Sequence, residues 1–229
     1  MWRLLFVLLL AACGGQQNVV PETALSPQAL LELRTHSEAY AGIDADSLRS
    51  DPAALALGAQ LYAVHCASCH GADHRGVRGA TDLAKGAYDY GASAAAIRTT
   101  ISQGRTSVMP ALGRVLGEMD IGVLVAYVQA FSSGESLSNF EQKAQTLYRE
   151  NCIDCHGPEG RGNPELGVPN LRDDYWQHGG AMMNIRLAIT RGVESQCPPQ
   201  GEGLTAGEIE LLTAHVLQIG NAADAANSQ

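Results

Sequence analysis

Aromatic side chains are scarce in this chain of 229 residues, at 5 % of the total, whereas glycine is plentiful at 25 residues. A chain of this length folds either as one domain of ordinary size or as two small ones. Two small cores that share three Phe and two Trp residues would contain few large apolar side chains. The composition therefore favours an interior that is completed by a prosthetic group.

Basic residues are also few, with 15 Lys and Arg against 24 Asp and Glu and a formal net charge of −9. Binding to nucleic acid requires clustered Lys and Arg, so the charge balance argues against nucleic acid as a partner. An acidic surface suits a basic docking face on another protein.

Apolar runs long enough to cross a bilayer, about 20 residues, are missing from the sequence. The first twelve residues, MWRLLFVLLLAA, place Arg3 before a shorter apolar run and predict a signal peptide over 1–12. The stretch Leu10-Ala11-Ala12-Cys13 resembles the lipobox of bacterial lipoproteins, in which the cysteine is acylated. This resemblance implies a lipid anchor at Cys13 that holds the protein at the periplasmic face of a bacterial membrane. The alternative is an ordinary leader with a chance cysteine.

The rest of the chain contains two copies of one unit. HCASCHGADHRG (65–76) matches NCIDCHGPEGRG (151–162) at an offset of 86 residues. LAKGAYDYGASAAAIRTTISQGRTSVMPALG (83–113) matches LRDDYWQHGGAMMNIRLAITRGVESQCPPQG (171–201) at an offset of 88. Two long copies indicate a tandem domain duplication rather than a solenoid.

Each copy is predicted to contain three helices and no strand. The first helix starts at the capping pair Asp51-Pro52, the middle helix ends at Gly104, and the last spans 124–131. The predicted boundaries are a tether over 13–50 with one short helix after Ser26-Pro27, domains over 51–131 and 140–220, a Ser-rich linker over 132–139 and a tail over 221–229.

The motif Cys-x-x-Cys-His occurs twice, and it is the attachment signature of c-type haem. Two thiols on one helical turn can add to the two vinyl groups of one haem, while the adjacent histidine reaches the iron. The alternatives are one zinc site made from both cysteine pairs and a thioredoxin-like redox pair. The sequence predicts two covalently bound haem c groups, with thioether links to Cys66, Cys69, Cys152 and Cys155 and with His70 and His156 as axial ligands.

Each haem iron has room for a second axial ligand. Met109, followed by Pro110, is the candidate for the first haem, since methionine is a soft thioether ligand; the alternative is a core-filling side chain. The residue 88 positions further on is Cys197, again followed by proline, and it is the candidate for the second haem. Met182, Met183 and an open coordination position are alternatives to Cys197.

Other residues are expected to support the haem groups. An axial histidine usually donates its second N–H to a backbone carbonyl, and the loops around Thr81 and Pro169 are placed to supply one. Arg98, Arg186 and Trp176 are candidates for holding haem propionates, with positions on the helix surface as the alternative.

Each half resembles a class I cytochrome c domain, and the pair resembles the soluble part of the dihaem subunit of cbb-type haem–copper terminal oxidases. The phrases that carry the resemblance are DPAALALGAQLYAVHCASCHGADHRG, TISQGRTSVMPALG, GNPELGVPNLRDDYWQHGG and IRLAITRG, within 51–219. It implies an all-α fold of two tandem domains, each with about three helices around a covalent haem c. It also implies electron transfer to redox partner proteins of a respiratory chain.

The sequence departs from this family in two ways. The oxidase subunit has a transmembrane helix and a Met-Pro pair in both halves, whereas this chain has the lipobox and Cys197-Pro198. A lipoprotein relative that carries electrons to an oxidase or reductase fits these departures better than a stoichiometric subunit. One alternative is an enzyme similar to thiosulfate dehydrogenases, which use a haem with His and Cys ligands. The other is a redox or gas sensor with a dissociable ligand.

Overall fold

The computed structural model describes residues 25–77, 79–86, 88–133 and 140–227. The signal peptide and Cys13 lie outside the described residues. The described chain is helical apart from one pair of short strands. Its elements are α1 (Pro27–Ser37), α2 (Ala45–Leu48), α3 (Pro52–His65), α4 (Ala67–His70), α5 (Ala94–Gln103), β1 (Arg105–Met109), α6 (Glu118–Ser133), α7 (Glu141–Asn151), α8 (Ile153–His156), α9 (Met182–Arg191), β2 (Val193–Cys197) and α10 (Ala206–Asn227).

The helices begin and end close to where the sequence predicts. The Asp51 carboxylate accepts hydrogen bonds from the first amides of α3, and the Ser26 hydroxyl does the same for α1. The middle helices α5 and α9 end at Gly104 and Gly192, as expected. The last helices are longer than predicted, so that α6 continues into the expected linker and α10 into the expected tail.

The last helix of each sequence repeat packs in the core of the other repeat. Helix α10 lies against α3 and α5, and helix α6 lies against α7 and α9. Leu211 and Leu212 of α10 are fully buried with Leu61 and Tyr62 of the first repeat. Reciprocally, Leu124 of α6 is fully buried in the second core. We call the core around α3, α5 and α10 the first core and the core around α6, α7 and α9 the second core.

The two strands form an antiparallel ribbon that the sequence did not predict. Arg105 pairs with Cys197, Ser107 with Ser195 and Met109 with Val193. RTSVM and VESQC have too few apolar residues to show a strand pattern, and each strand finds its partner 88 residues away.

The chain leaves the ribbon by crossing to the opposite repeat. After β1, the amide of Leu112 donates to the Ile189 carbonyl at the end of α9, at 2.9 Å. After β2, the amide of Gln200 donates to the Ile101 carbonyl at the end of α5, also at 2.9 Å. A side chain at Gly192 would lie 2.6 Å from the Met109 carbonyl oxygen. The ribbon is therefore where the two repeats exchange their last helices.

Residues 25–50, expected to belong to a tether, are instead part of the first core. Leu33, Ala45 and Leu48 are buried there. Helix α10 approaches this segment so closely that a Cβ at Gly207 would collide with the Ser37 carbonyl oxygen. The apolar positions of α1 and α2 are too short a pattern to reveal this packing from sequence. Within the described residues, no helix is both long enough and apolar enough to cross a membrane.

The first core contains a ring cluster of Tyr62, His74 and His215, with ring centroids 4.6 to 5.5 Å apart. The corresponding cluster in the second core contains Tyr148, with Tyr127 at the position that matches His215. Nε2 of His215 is buried without a hydrogen-bond partner. Burial is the main cause that lowers the pKa of His215 to about 4, and the neighbouring His74 is the second cause.

We expect the His215→Tyr variant to be less sensitive to acid than the wild type. In the unfolded chain a histidine has a pKa near 6.5, so between pH 6.5 and 4 the unfolded state binds a proton that the folded state does not. The contribution of His215 to the free energy of unfolding is therefore complete above about pH 6.5 and is lost as the pH falls towards 4. The denaturation midpoints of the two proteins should therefore diverge between pH 7.5 and pH 5, with the wild type losing more. Equal losses would show that His215 does not contribute to acid sensitivity.

Candidate haem sites

The two Cys-x-x-Cys-His motifs have the same local structure. In each, one helical turn, α4 or α8, carries the second cysteine and the histidine, and a glycine with a positive φ ends the turn. The Tyr62 hydroxyl donates to the Gly71 carbonyl at 2.8 Å, and the Tyr148 hydroxyl donates to the Gly157 carbonyl at the same distance. These bonds fix each motif to the helix that precedes it.

A backbone carbonyl orients each motif histidine. Nδ1 of His70 lies 3.0 Å from the Thr81 carbonyl oxygen, and Nδ1 of His156 lies 3.4 Å from that of Pro169. A carbonyl can only accept, so Nδ1 carries the proton and the Nε2 lone pair is free for a metal. Burial lowers the pKa of His156, which keeps its imidazole neutral. The prediction that Thr81 and Pro169 supply these carbonyls is confirmed.

Met109 lies in the second site, not in the first. The second motif opens onto a mainly apolar cavity whose lining includes Met109, Cys152, Cys155 and His156. The Met109 side chain also packs against the second core. Other apolar side chains complete the wall. They are Val193 of β2, Ile185 and Ile189 of α9, and Leu112, Leu171 and Trp176 from the segments between the elements.

Cys197 lies in the first site. Its thiol is near enough to that of Cys66 to affect the ionisation of Cys66: burial is the main cause that raises the pKa of Cys66 to about 12, and Cys197 is the next. Burial, followed by Cys69, likewise raises the pKa of Cys197. In the backbone, a Cβ at Gly104 would lie 2.6 Å from the Cys197 carbonyl oxygen, which places Cys197 at the end of α5.

We call Met109 and Cys197, the two candidates for the second axial ligand, the distal residues. Their expected pairing with the two motifs is therefore reversed. The sequence assigned Met109 to the first haem and Cys197 to the second, because each follows the motif of its own repeat. The ribbon instead delivers Met109 to the second motif and Cys197 to the first. This exchange of residues accompanies the exchange of the last helices.

Several alternatives have no support in the described residues. No group of three or more His, Cys, Asp or Glu side chains there is arranged to hold a metal ion. Met182 and Met183 are exposed on the first turn of α9. Arg98 makes a bidentate ion pair with Glu210, with both N–O distances 2.7 Å, and Arg186 pairs with Glu118 at 2.8 Å. These partners favour the helix-surface interpretation of both arginines.

The second cavity is suited to a covalently attached haem. It brings together two thiols on one turn, a neutral imidazole with an available Nε2, a facing thioether and an apolar wall. The first motif repeats the thiols and the oriented imidazole, with Cys197 in place of the thioether. The fold and both sites define a c-type cytochrome with two haem groups.

The comparisons with known proteins agree with this class. The family described as "Cytochrome C oxidase, cbb3-type, subunit III" matches residues 53–128 and 140–216. The chain belongs to this family.

Two curated relatives illustrate the similarity. The chain is 32 % identical over 203 residues to the cbb3-type cytochrome c oxidase subunit CcoP of Rubrivivax gelatinosus, covering 88 % of this chain and 65 % of the relative. It is also 32 % identical over 205 residues to subunit FixP of Azorhizobium caulinodans, covering 83 % and 70 %. The matched region thus spans about two thirds of each relative. The chain is a dihaem cytochrome c of all-α class I type that carries two covalently bound haem c groups.

Proposed function

We propose that this dihaem cytochrome passes electrons to or within a respiratory terminal oxidase at the periplasmic face of a bacterial membrane. The observation that carries the proposal is the joining of two Cys-x-x-Cys-His sites by one ribbon in a single chain. The relatives named above are oxidase subunits, so the comparisons favour an oxidase partner and do not favour the thiosulfate-oxidising alternative.

The geometry supports the following proposed roles for the site residues. Cys66 and Cys69 attach the first haem, and Cys152 and Cys155 attach the second. His70 and His156 coordinate iron through Nε2, each held by the carbonyl bond of its Nδ1. Cys197 would supply the second iron ligand at the first site, and Met109 would supply it at the second. When bound, the haem iron supplies the ferric–ferrous couple that accepts and releases one electron.

The two distal residues adjust that couple in opposite directions. A thioether is a soft, neutral ligand that favours ferrous iron, so Met109 raises the potential at the second site. A thiolate is anionic and favours ferric iron, so Cys197 lowers the potential at the first site. The chain therefore holds a low-potential and a high-potential site.

The ribbon keeps the two distal residues close together. Cys197 pairs with Arg105 and Met109 with Val193, so the two residues are four ladder positions apart. At about 3.4 Å per residue this separation is roughly 14 Å. A fixed, short separation supports electron exchange within one chain.

The proposed attachment to the membrane is a lipid on Cys13. The support is the apolar leader that ends in Leu10-Ala11-Ala12-Cys13, which has the pattern of a lipobox. Several acyl chains bind a membrane firmly, whereas one chain binds only marginally.

Mass spectrometry of the detergent-extracted protein is expected to show a chain that begins at Cys13 and carries lipid and two haem groups. The reduced protein should be oxidised by membranes that contain a cbb-type oxidase and should not reduce a dye with thiosulfate. An intact leader would contradict the lipid anchor. Rapid thiosulfate turnover would contradict the proposed electron-transfer role.

A further inference from the structure

The two distal residues face different partners across the ribbon. In the antiparallel pair, Met109 lies opposite Val193, whereas Cys197 lies opposite Arg105. Directly opposed side chains have Cβ atoms about 4.5–5.5 Å apart on the same face of a sheet. Both pairs lie on the partly buried face of the ribbon, while the alternating residues are exposed. The duplication thus provides an internal comparison: a neutral ligand faces an apolar residue, and the thiol faces a cation.

Arg105 is held in place by two neutral groups. Its Nε donates to the Thr100 hydroxyl at 3.1 Å, and its guanidinium lies 4.6 Å from the centre of the Tyr90 ring. The Tyr90 hydroxyl in turn donates to the Thr106 carbonyl at 2.9 Å. Among the described residues, no carboxylate lies within ion-pair distance of Arg105, whereas Arg98 has Glu210. A half-buried, immobilised cation therefore lies beside the position of Cys197.

The register places the charge of Arg105 next to the thiol, because Arg105 and Cys197 are direct partners in the ladder. Opposite charges at close range strengthen each other's ionised form when water is partly excluded. The corresponding Met109–Val193 pair needs no such compensation because a thioether has no charge.

We propose that Arg105 is a positioning residue that compensates the negative charge of the Cys197 thiolate at the first haem site. This inference rests on the proposed role of Cys197 as distal ligand. The cation holds the thiolate in the ligating state and lowers the free-energy cost of burying it next to a ferric iron.

The test uses the complete dihaem protein and Arg105→Val, which installs the residue of the corresponding position, with Arg105→Lys as the variant that retains the charge. Ferric electron paramagnetic resonance reports the fraction of the first haem with thiolate ligation. We expect the ratio of thiolate-ligated to unligated haem to fall about tenfold in Arg105→Val, the scale of one close charge pair in a partly buried site, and to be largely restored in Arg105→Lys. In a Cys197→Met background, Arg105→Val should leave sulfur ligation intact.

The possible results separate this inference from the proposed ligation. An unchanged thiolate fraction in Arg105→Val overturns the role of Arg105 and leaves Cys197 as a ligand. An equal loss of ligation in the Cys197→Met background also overturns it, because the effect is then purely structural. A wild-type protein without any thiolate signature overturns the ligation by Cys197 and, with it, this inference. An unchanged spectrum of the second haem shows that each variant is folded.

Discussion

Substituting Cys197 by methionine is expected to raise the reduction potential of the first haem and to leave that of the second unchanged. The substitution replaces an anionic ligand, which stabilises ferric iron, by the neutral thioether that stabilises ferrous iron. A change of about two orders of magnitude in the preference for ferric over ferrous iron corresponds to roughly 120 mV for one electron. The two redox waves of the wild type should therefore move together in the variant.

The measurement is a redox titration of both proteins, with the individual haems distinguished by their ferric resonance signals. The matched control is Met109→Ala, which should remove the sulfur ligand of the second haem and leave the first. The pairing in the structure makes this control specific, because Met109 lines the cavity of Cys152 and His156. If Met109→Ala changes the haem attached to Cys66 and Cys69, the crossed arrangement is wrong. If Cys197→Met shifts neither wave, Cys197 is not a ligand.

The second large effect concerns the exchanged helices. Leu212 of α10 and Leu124 of α6 occupy corresponding positions in the two repeats, and both are fully buried. Truncating either leucine to alanine should cost about 2–5 kcal/mol of stability. Because α10 packs against α3, Leu212→Ala should loosen the first core. Leu124→Ala should loosen the second core, since α6 packs against α7.

Hydrogen exchange resolved by peptide distinguishes the two cores. In Leu212→Ala, exchange should accelerate in α3 more than in α7, and in Leu124→Ala the order should be reversed. Each variant is the control for the other, since the residue type, burial and helical position are matched. The opposite pattern, with each variant loosening its own repeat, would show that the last helices are not exchanged.

The features that are local in the chain could be predicted from the sequence. The caps and glycines that bound α3, α5 and α9 act within a few residues, so composition and spacing were sufficient to locate these helices. Each Cys-x-x-Cys-His motif consists of one helical turn and the cysteine that caps it. The carbonyls of Thr81 and Pro169 follow their histidines by 11 and 13 residues, and their role was predicted correctly.

The assignment of each last helix and each distal residue to a core required the tertiary structure. In a duplicated chain both repeats offer a similar apolar helix and a similar loop, so the sequence pattern is nearly the same for either choice. The choice depends on contacts between distant segments. These are the pairing of β1 with β2 and the hydrogen bonds that the amides of Leu112 and Gln200 donate to carbonyls near the helix ends of the opposite repeat. Hydrophobic periodicity shows which face of α6 or α10 is buried but does not identify the helix that covers it. For the same reason, the position of Arg105 opposite Cys197 became visible only once the strands were paired.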